Sequence, residues 1–229
     1  MEYYKAILTL VSEDKKGLAI LIDPDKFNVS ETASFLLTIP ANTTHLFVGG
    51  SIVSNGDTET TVIALKKETT LPVILFPGDY SQITHKADAL LFLSLLSGRN
   101  AEYLVGQQVK SIAKLKTSAL EIIATGYLLI DGGNDVAVAR VSNTSAMPQD
   151  DIDVIVNTAL AGQYMGAKLI YLEAGSGAKY PVKAEVIKAV REAINIPLIV
   201  GGGIKTENQK QAAYNAGANI IVMGTAFEN

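Results

Sequence analysis

The chain has 229 residues, 48% hydrophobic and 18% charged, which is enough apolar material for one large core and within the length of single-domain α/β barrels. Its 19 Lys and Arg against 23 Asp and Glu give a net charge of −4, which excludes a general nucleic-acid binder holding phosphates through clustered cations. With no cysteine and only His45 and His85 as imidazoles, thiolate chemistry, disulfides and a poly-histidine metal site are excluded too.

In chain order, "MEYYKAILTL" reads as a short helix. After it, apolar runs ending in Gly, Asp or Glu recur: "GLAILID" to Asp23, "HLFVGG" to Gly50, "PVILFPG" to Gly78 and "DALLFLSL" to Leu95. They continue with "ALEIIATGYLLID" to Asp131, "KLIYLEAG" to Gly175, "PLIVGGG" to Gly203 and "NIIVMGT" to Thr225. These eight candidate strands lack strict alternation, as parallel strands covered on both faces do. Parallel neighbours need crossovers, and helix patterns supply them. In "PVKAEVIKAVREAI", Val186, Ile187, Val190 and Ile194 share a face, while Lys183, Lys188, Arg191 and Glu192 fall elsewhere. In "TENQKQAAYNAG", Thr206 and Gln209 form a capping box and Gly217 ends the helix.

The expected fold is therefore an α/β (βα)8 TIM barrel, one domain over residues 1–229, with the first helix closing its bottom. Three departures are expected. The third crossover, around "DYSQITHKA", is too short for a regular helix. The stretch from Asp131 to Lys168 reads as a loop and then a helix starting near Pro148. The chain stops just after the eighth strand, so the final helix is missing or short. No segment offers the roughly 18 apolar residues of a membrane span. Nor does a basic region precede an apolar one at the N-terminus, so a cytoplasmic protein is expected. A homo-oligomer, a dimer or larger, is a separate expectation.

Functional groups of such a barrel lie at the C-terminal ends of its strands, with phosphate held by the loops after strands seven and eight. Gly201, Gly202, Gly203 and Gly224 occupy those ends, and uncovered backbone amides with the positive end of a following helix suit a dianion. A tight turn alone would also account for the three glycines. "YLEAGSG" adds Gly175, Ser176 and Gly177 from strand six. In that segment Tyr171 and Glu173 point the same way, so Glu173 can accept a proton from a bound hydroxyl that Tyr171 helps position. The competing reading pairs Glu173 with Lys179.

"LIDPDKF" places Asp23, Asp25 and Lys26 at the end of strand one, where a carboxylate can hold Mg²⁺ or simply shape a turn. "GGSIVSNGD" adds Ser51, a hydroxyl that could complete such a site. "PQDDIDV" invites comparison with the aspartate-rich motifs of prenyl chain elongation enzymes. Acidic residues after Pro148 are instead what a helix start favours.

Taken in order, "LIDPDK", "FVGGS", "YLEAGSG", "VGGGI" and "MGTAFE" resemble the geranylgeranylglyceryl phosphate synthase family, which includes bacterial heptaprenylglyceryl phosphate synthases. The resemblance extends over nearly the whole chain. It implies an Mg²⁺-dependent ether synthesis joining sn-glycerol 1-phosphate to a polyprenyl diphosphate. Asp23 and Ser51 would take the family's magnesium positions. Tyr171, Leu172, Glu173, Ala174, Gly175, Ser176 and Gly177, with Gly202, Gly203, Gly224 and Thr225, would take its glycerol phosphate positions. Some members carry a lysine where this chain has Leu21. The donor adopted is geranylgeranyl diphosphate, with heptaprenyl or another chain length as the alternative. Its tail needs an apolar groove, sought around Leu95, Leu96, Tyr103 and Leu104, and its pickup suggests a peripheral membrane encounter. Beside this reading stand a phosphate-binding isomerase or aldolase-like barrel and a non-catalytic binding barrel.

Overall fold

The computed structural model describes residues 1–54, 56–224 and 227. Among them, β1 (Gly17–Ile22), β2 (His45–Val48), β3 (Val73–Leu75) and β4 (Ala89–Leu95) are followed by β5 (Glu121–Leu129), β6 (Leu169–Glu173), β7 (Leu198–Gly201) and β8 (Ile220–Met223). Every neighbour is parallel and the ring closes where Ala19 of β1 faces Val222 of β8. The helices are α1 (Tyr3–Ser12), α2 (Thr32–Thr38), α3 (Thr58–Glu68), α4 (Gln107–Leu115), α5 (Ala137–Ser142), α6 (Ile152–Tyr164), α7 (Ala184–Ala193) and α8 (Glu207–Asn215).

Side-chain alternation sorts the strands into two cores. Leu18, Ile20, Leu46, Ile170, Leu172 and Val200 pack outward with Val186, Ile187 and Val190 of α7. Ala19, Phe47, Ile74, Leu91, Ile123, Tyr171 and Ile199 fill the barrel. Both faces are dry, so most strands are buried at every position, which is why alternation is not visible in the sequence. α1 closes the bottom as expected. Ile7 is fully buried in the inner core, and Glu121 at the start of β5 accepts the N–H groups of Tyr3 and Tyr4 at 2.9 Å each. Those amides belong to the unsatisfied first turn of a helix, so the carboxylate docks α1 as well as capping it.

Between β3 and β4 the described residues hold only a 3-10 turn, Tyr80–Gln82, in place of a helix. After β4 the chain makes a π-helical turn, Glu102–Gly106, before α4. The long β5 to β6 connection differs from expectation in two ways. α5 occupies part of what reads as loop, and it ends at Asn143 in the left-handed region, φ 50°. The following helix begins at Ile152, not near Pro148, because Met147 still extends the sheet: its N–H donates to Leu129 and its carbonyl accepts from Asp131. Asp151 then sits at the N-cap and Asp153 in the first turn of α6, while Asp150 pairs with Lys183 at 2.5 Å. The α8 capping box is present, and Gly217 follows with φ 112°. The expected loss of a final helix concerns Thr225, Ala226, Glu228 and Asn229, which lie outside the described residues.

Candidate active site

The strand ends open into one cleft of about 470 Å³. Glu173, Ser176, Gly202, Gly203, Lys205 and Gly224 line one side of it, and Asp23, Lys26, Gly50 and Ser51 another. A third, apolar arm runs past Phe76, Leu91, Leu93, Leu95, Tyr103 and Tyr127.

Glu173 is the last residue of β6, 6% exposed, and its Oε1 accepts the Gly175 N–H at 2.6 Å. Burial raises its pKa from the ordinary 4.5 to about 7, with the Gly175 N–H pulling partly back. Two of the three glycines at the end of β7 clear space for this carboxylate. A Cβ on Gly201 would lie 2.5 Å from the Tyr171 hydroxyl and 2.7 Å from Glu173 Oε2; one on Gly202 would lie 2.4 Å from Oε1. Gly202 and Gly203 also adopt φ of 77° and 69°, where any other residue is strained. Tight turning and clearance for Glu173 are thus both satisfied by one Gly-Gly-Gly run. The Glu173 to Lys179 pair does not form among the described residues; Lys179 instead lies over the Tyr180 ring.

Tyr171 is not a wall residue of the cleft. Its ring is fully buried, stacked on Phe76 at 5.1 Å and edge-on to Tyr127 at 5.4 Å. Its hydroxyl faces Glu173 without hydrogen-bond geometry and is buried with no partner among the described residues, so it can act only through that carboxylate. Leu172 points into the helix-facing core because strand alternation turns it away from Tyr171 and Glu173. Ala174 is likewise fully buried in that core, and Gly175 lies against Val136, where a Cβ would meet Cγ1 at 2.4 Å. Gly177, with φ 70°, shapes the loop without lining the cleft. Ser176, Gly202, Gly203 and Gly224 do line it; Thr225 lies outside the described residues. The α8 N-terminus is less open to an anion than expected, since Thr206 and Gln209 satisfy each other's amides there. Lys205, on the cleft wall, adds a positive charge to that side.

Across the mouth, Asp23 accepts the Asp25 N–H at 3.1 Å and lies 3.8 Å from Lys26 Nζ. Asp25 serves the turn, accepting from Ser54 and Gly56. Ser51 is placed by a residue the sequence did not point to. Gln82, buried in the 3-10 turn, donates to the Gly50 carbonyl at 2.8 Å and accepts from Gly50 and Gly78 at 3.2 Å. It clamps the loops after β2 and β3 together. In the apolar arm, Leu95 and Tyr103 line the cleft, whereas Leu96 packs in the helix-facing core and Leu104 against it. Two bonds clasp this arm from above: Tyr103 donates to the Val141 carbonyl at 3.1 Å and Asn100 to the Ser142 carbonyl at 2.7 Å.

Fold and cleft define a (βα)8 barrel with a cleft at the C-terminal ends of its strands, a buried carboxylate on its wall and an apolar arm to one side. The chain belongs to the PcrB family, whose profile matches residues 11–229. It is 55% identical over 224 residues, 98% of this chain and 96% of the other, to a geranylgeranylglyceryl phosphate synthase of Zunongwangia profunda. To that of Flavobacterium johnsoniae it is 52% identical over 227 residues, covering 99% and 93%. The crystal structure of (S)-3-O-geranylgeranylglyceryl phosphate synthase from Thermoplasma acidophilum, in complex with its substrate sn-glycerol-1-phosphate, superposes with a TM-score of 0.91 at 38% identity, covering 100% of this chain and 92% of that one.

Proposed function

We propose that this chain is a prenyltransferase of ether-lipid biosynthesis, joining sn-glycerol 1-phosphate to geranylgeranyl diphosphate to give geranylgeranylglyceryl phosphate and diphosphate. The names of its relatives supply the substrates. The observation that carries the chemistry is Glu173, a buried carboxylate with a pKa near 7 on the glycine-lined side of a cleft whose other side holds Asp23 and Ser51. A base with that pKa is half ionised near neutrality, where proton transfer is most effective.

In this reading the glycerol phosphate lies over Ser176, Gly202, Gly203 and Gly224, with Lys205 offsetting its charge. Its C3 hydroxyl, the one that a 3-O-prenyl product requires, attacks C1 of the donor as Glu173 takes the hydroxyl proton. The bond from C1 to the diphosphate oxygen breaks, and diphosphate leaves with the electron pair. Tyr171 lines no part of the cleft and holds no substrate atom.

Asp23 and Ser51 suit a magnesium ion. Among the described residues no three His, Cys, Asp or Glu group to hold a metal. A hard cation beside one carboxylate and one hydroxyl would therefore complete its shell with diphosphate oxygens and water, as Mg²⁺ commonly does. When bound there, it neutralises charge on the departing diphosphate. Val105, Val109 and Ile112, exposed on the π turn and α4 beside the apolar arm, support donor pickup at a bilayer. Vesicles that neither sediment the protein nor change its activity would remove that element.

The test is product formation by mass spectrometry, with sn-glycerol 1-phosphate, a panel of prenyl diphosphates, and Mg²⁺ present or chelated. A prenylglyceryl phosphate formed only with the metal is expected. No product from any donor would overturn the reading, and undiminished activity of Asp23→Asn in limiting Mg²⁺ would overturn the metal assignment.

A further inference from the structure

A second buried glutamine joins two strand-end loops, further around the barrel from Gln82. Met147 extends the sheet beside Ile130, and two residues on, Gln149 is buried between the loops that follow β5 and β6. Its amide nitrogen donates to the Asp131 carbonyl at 2.7 Å and to the Pro181 carbonyl at 3.2 Å, and its Oε1 accepts the Lys183 N–H at 2.6 Å. Carbonyls only accept and a backbone N–H only donates, so all three bonds agree on which end of the amide is nitrogen. Lys183 is the N-cap of α7, and Pro181 lies two residues before it. One side chain therefore ties the far end of the β6 to α7 loop to the end of β5.

Resting on the prenyltransferase reading, we infer that Gln149 is a positioning residue for the acceptor, glycerol phosphate. The loop it ties contains Gly175, Ser176 and Gly177, and Ser176 lines the cleft. Gly175 and Gly177 stand at φ 98° and 70°, where the chain has wide freedom, so the course of the loop is set by what holds its two ends. β6 holds the first end. At the second, the backbone is wedged between neighbours: a Cβ on Gly203 would lie 2.8 Å from the Pro181 nitrogen, and one on Gly133 2.7 Å from the Tyr180 ring. Gly203 lines the cleft, so the Pro181 backbone supports the phosphate side twice, through Ser176 upstream and through Gly203 beside it. Without Gln149, the Asp131 and Pro181 carbonyls and the Lys183 N–H lose their partner, and the loop end moves off Gly203 to find others. The other side-chain ties of this loop to Asn134, at Gly177 and Lys179, are long, 3.4 Å each. Glu173 belongs to β6 and stays in register with Gly201, so the loss falls on binding and not on proton transfer.

The experiment measures kcat and the KM of each substrate, sn-glycerol 1-phosphate and geranylgeranyl diphosphate, in wild type, Gln149→Ala, Gln149→Met and Gln82→Ala. Gln149→Ala should raise the glycerol phosphate KM by about tenfold, the size of one hydrogen bond to the phosphate lost. The diphosphate KM and kcat at saturation should stay within about twofold, as when only uniform binding is removed. Met fills similar volume without the bonds, so Gln149→Met should show the same split, and Gln82→Ala the opposite one. A purely structural role would lower the melting temperature and the active fraction while leaving both KM values in place. That result, or an equal rise in both KM values, would overturn the inference. Should Gln149→Ala fail to fold, Gln149→Met decides it alone. The calorimetric Kd of glycerol phosphate, taken without donor, should weaken by the same factor as its KM. If wild type binds glycerol phosphate and makes no product, the transfer reading fails and the Kd comparison still judges Gln149. If wild type does not bind it, both fall.

Discussion

The two sides of the cleft are made by opposite means. On the β6 to β8 side, regular strands end in register and the space for a reactive carboxylate is left by side chains that are missing, at Gly201 and Gly202. On the β3 to β5 side, regular structure itself is missing: a 3-10 turn stands where a helix belongs, a π turn precedes α4, and α5 interrupts a long loop. The first arrangement fixes a few atoms closely, as chemistry requires. The second opens a long apolar space, which a hydrocarbon requires. Changes on one side should alter how fast the reaction runs, and changes on the other which donor it takes.

The largest effect should come from Glu173→Gln, which leaves no base. A fall of about 10²–10⁴-fold in kcat is expected, with glycerol phosphate binding retained. In wild type, kcat should rise with pH up to about 7, following ionisation of Glu173, and the residual activity of the variant should lose that rise. Stability should move the other way. The folded-state pKa is raised, so the stability linked to this group is complete below its unfolded value near 4.5 and is lost as pH rises through about 7. Glu173→Gln should therefore melt above wild type at pH 8, an advantage that shrinks in acid.

Next in size is Gly202→Ala. Its Cβ would crowd Glu173 Oε1 and the Gly175 nitrogen at 2.4 and 2.5 Å, in a backbone with φ 77°. About 1–3 kcal/mol of stability should go, together with most of the turnover, read from melting and kinetics. If that variant changed donor preference and spared kcat, the division between the two sides would collapse. Gln82→Ala releases the clamped β2 and β3 loops at a cost of about 1–3 kcal/mol and should raise KM for the diphosphate more than it lowers kcat. The smallest effect is expected from Tyr103→Phe, which removes the bond to Val141 and about 0.5–1.5 kcal/mol, visible as a modest rise in donor KM.

The regular side was also the legible one. Strand ends, the capping box at Thr206 and the inward Glu173 all follow from period and spacing, and these are local properties of sequence. Leu172 shows the limit of carrying a contiguous motif over whole: alternation puts every second residue of a strand on the other face. Part of the irregular side was legible too: "DYSQITHKA" is too short for a helix, and Leu95 and Tyr103 stand where the apolar groove is expected. Gln82 matters through contacts with Gly50 and Gly78, set by tertiary packing and not by any local pattern. α5 is too short to show a helical period, and Met147 delays α6 by pairing with β5, a long-range contact that overrides a proline start signal.

The closing of the ring between β1 and β8 has a consequence for how the chain comes to be folded. Gly17 donates to Asn219, and the Tyr214 hydroxyl reaches the Gly17 carbonyl at 2.8 Å, joining residues 197 apart. Those partners are synthesised after the first seven strands of the barrel. Until they emerge, β1 and β7 are the open edges of an incomplete sheet, the geometry that invites pairing with another chain. Contacts of such separation also slow folding, so the barrel passes through its most aggregation-prone stage just before its final strand is available.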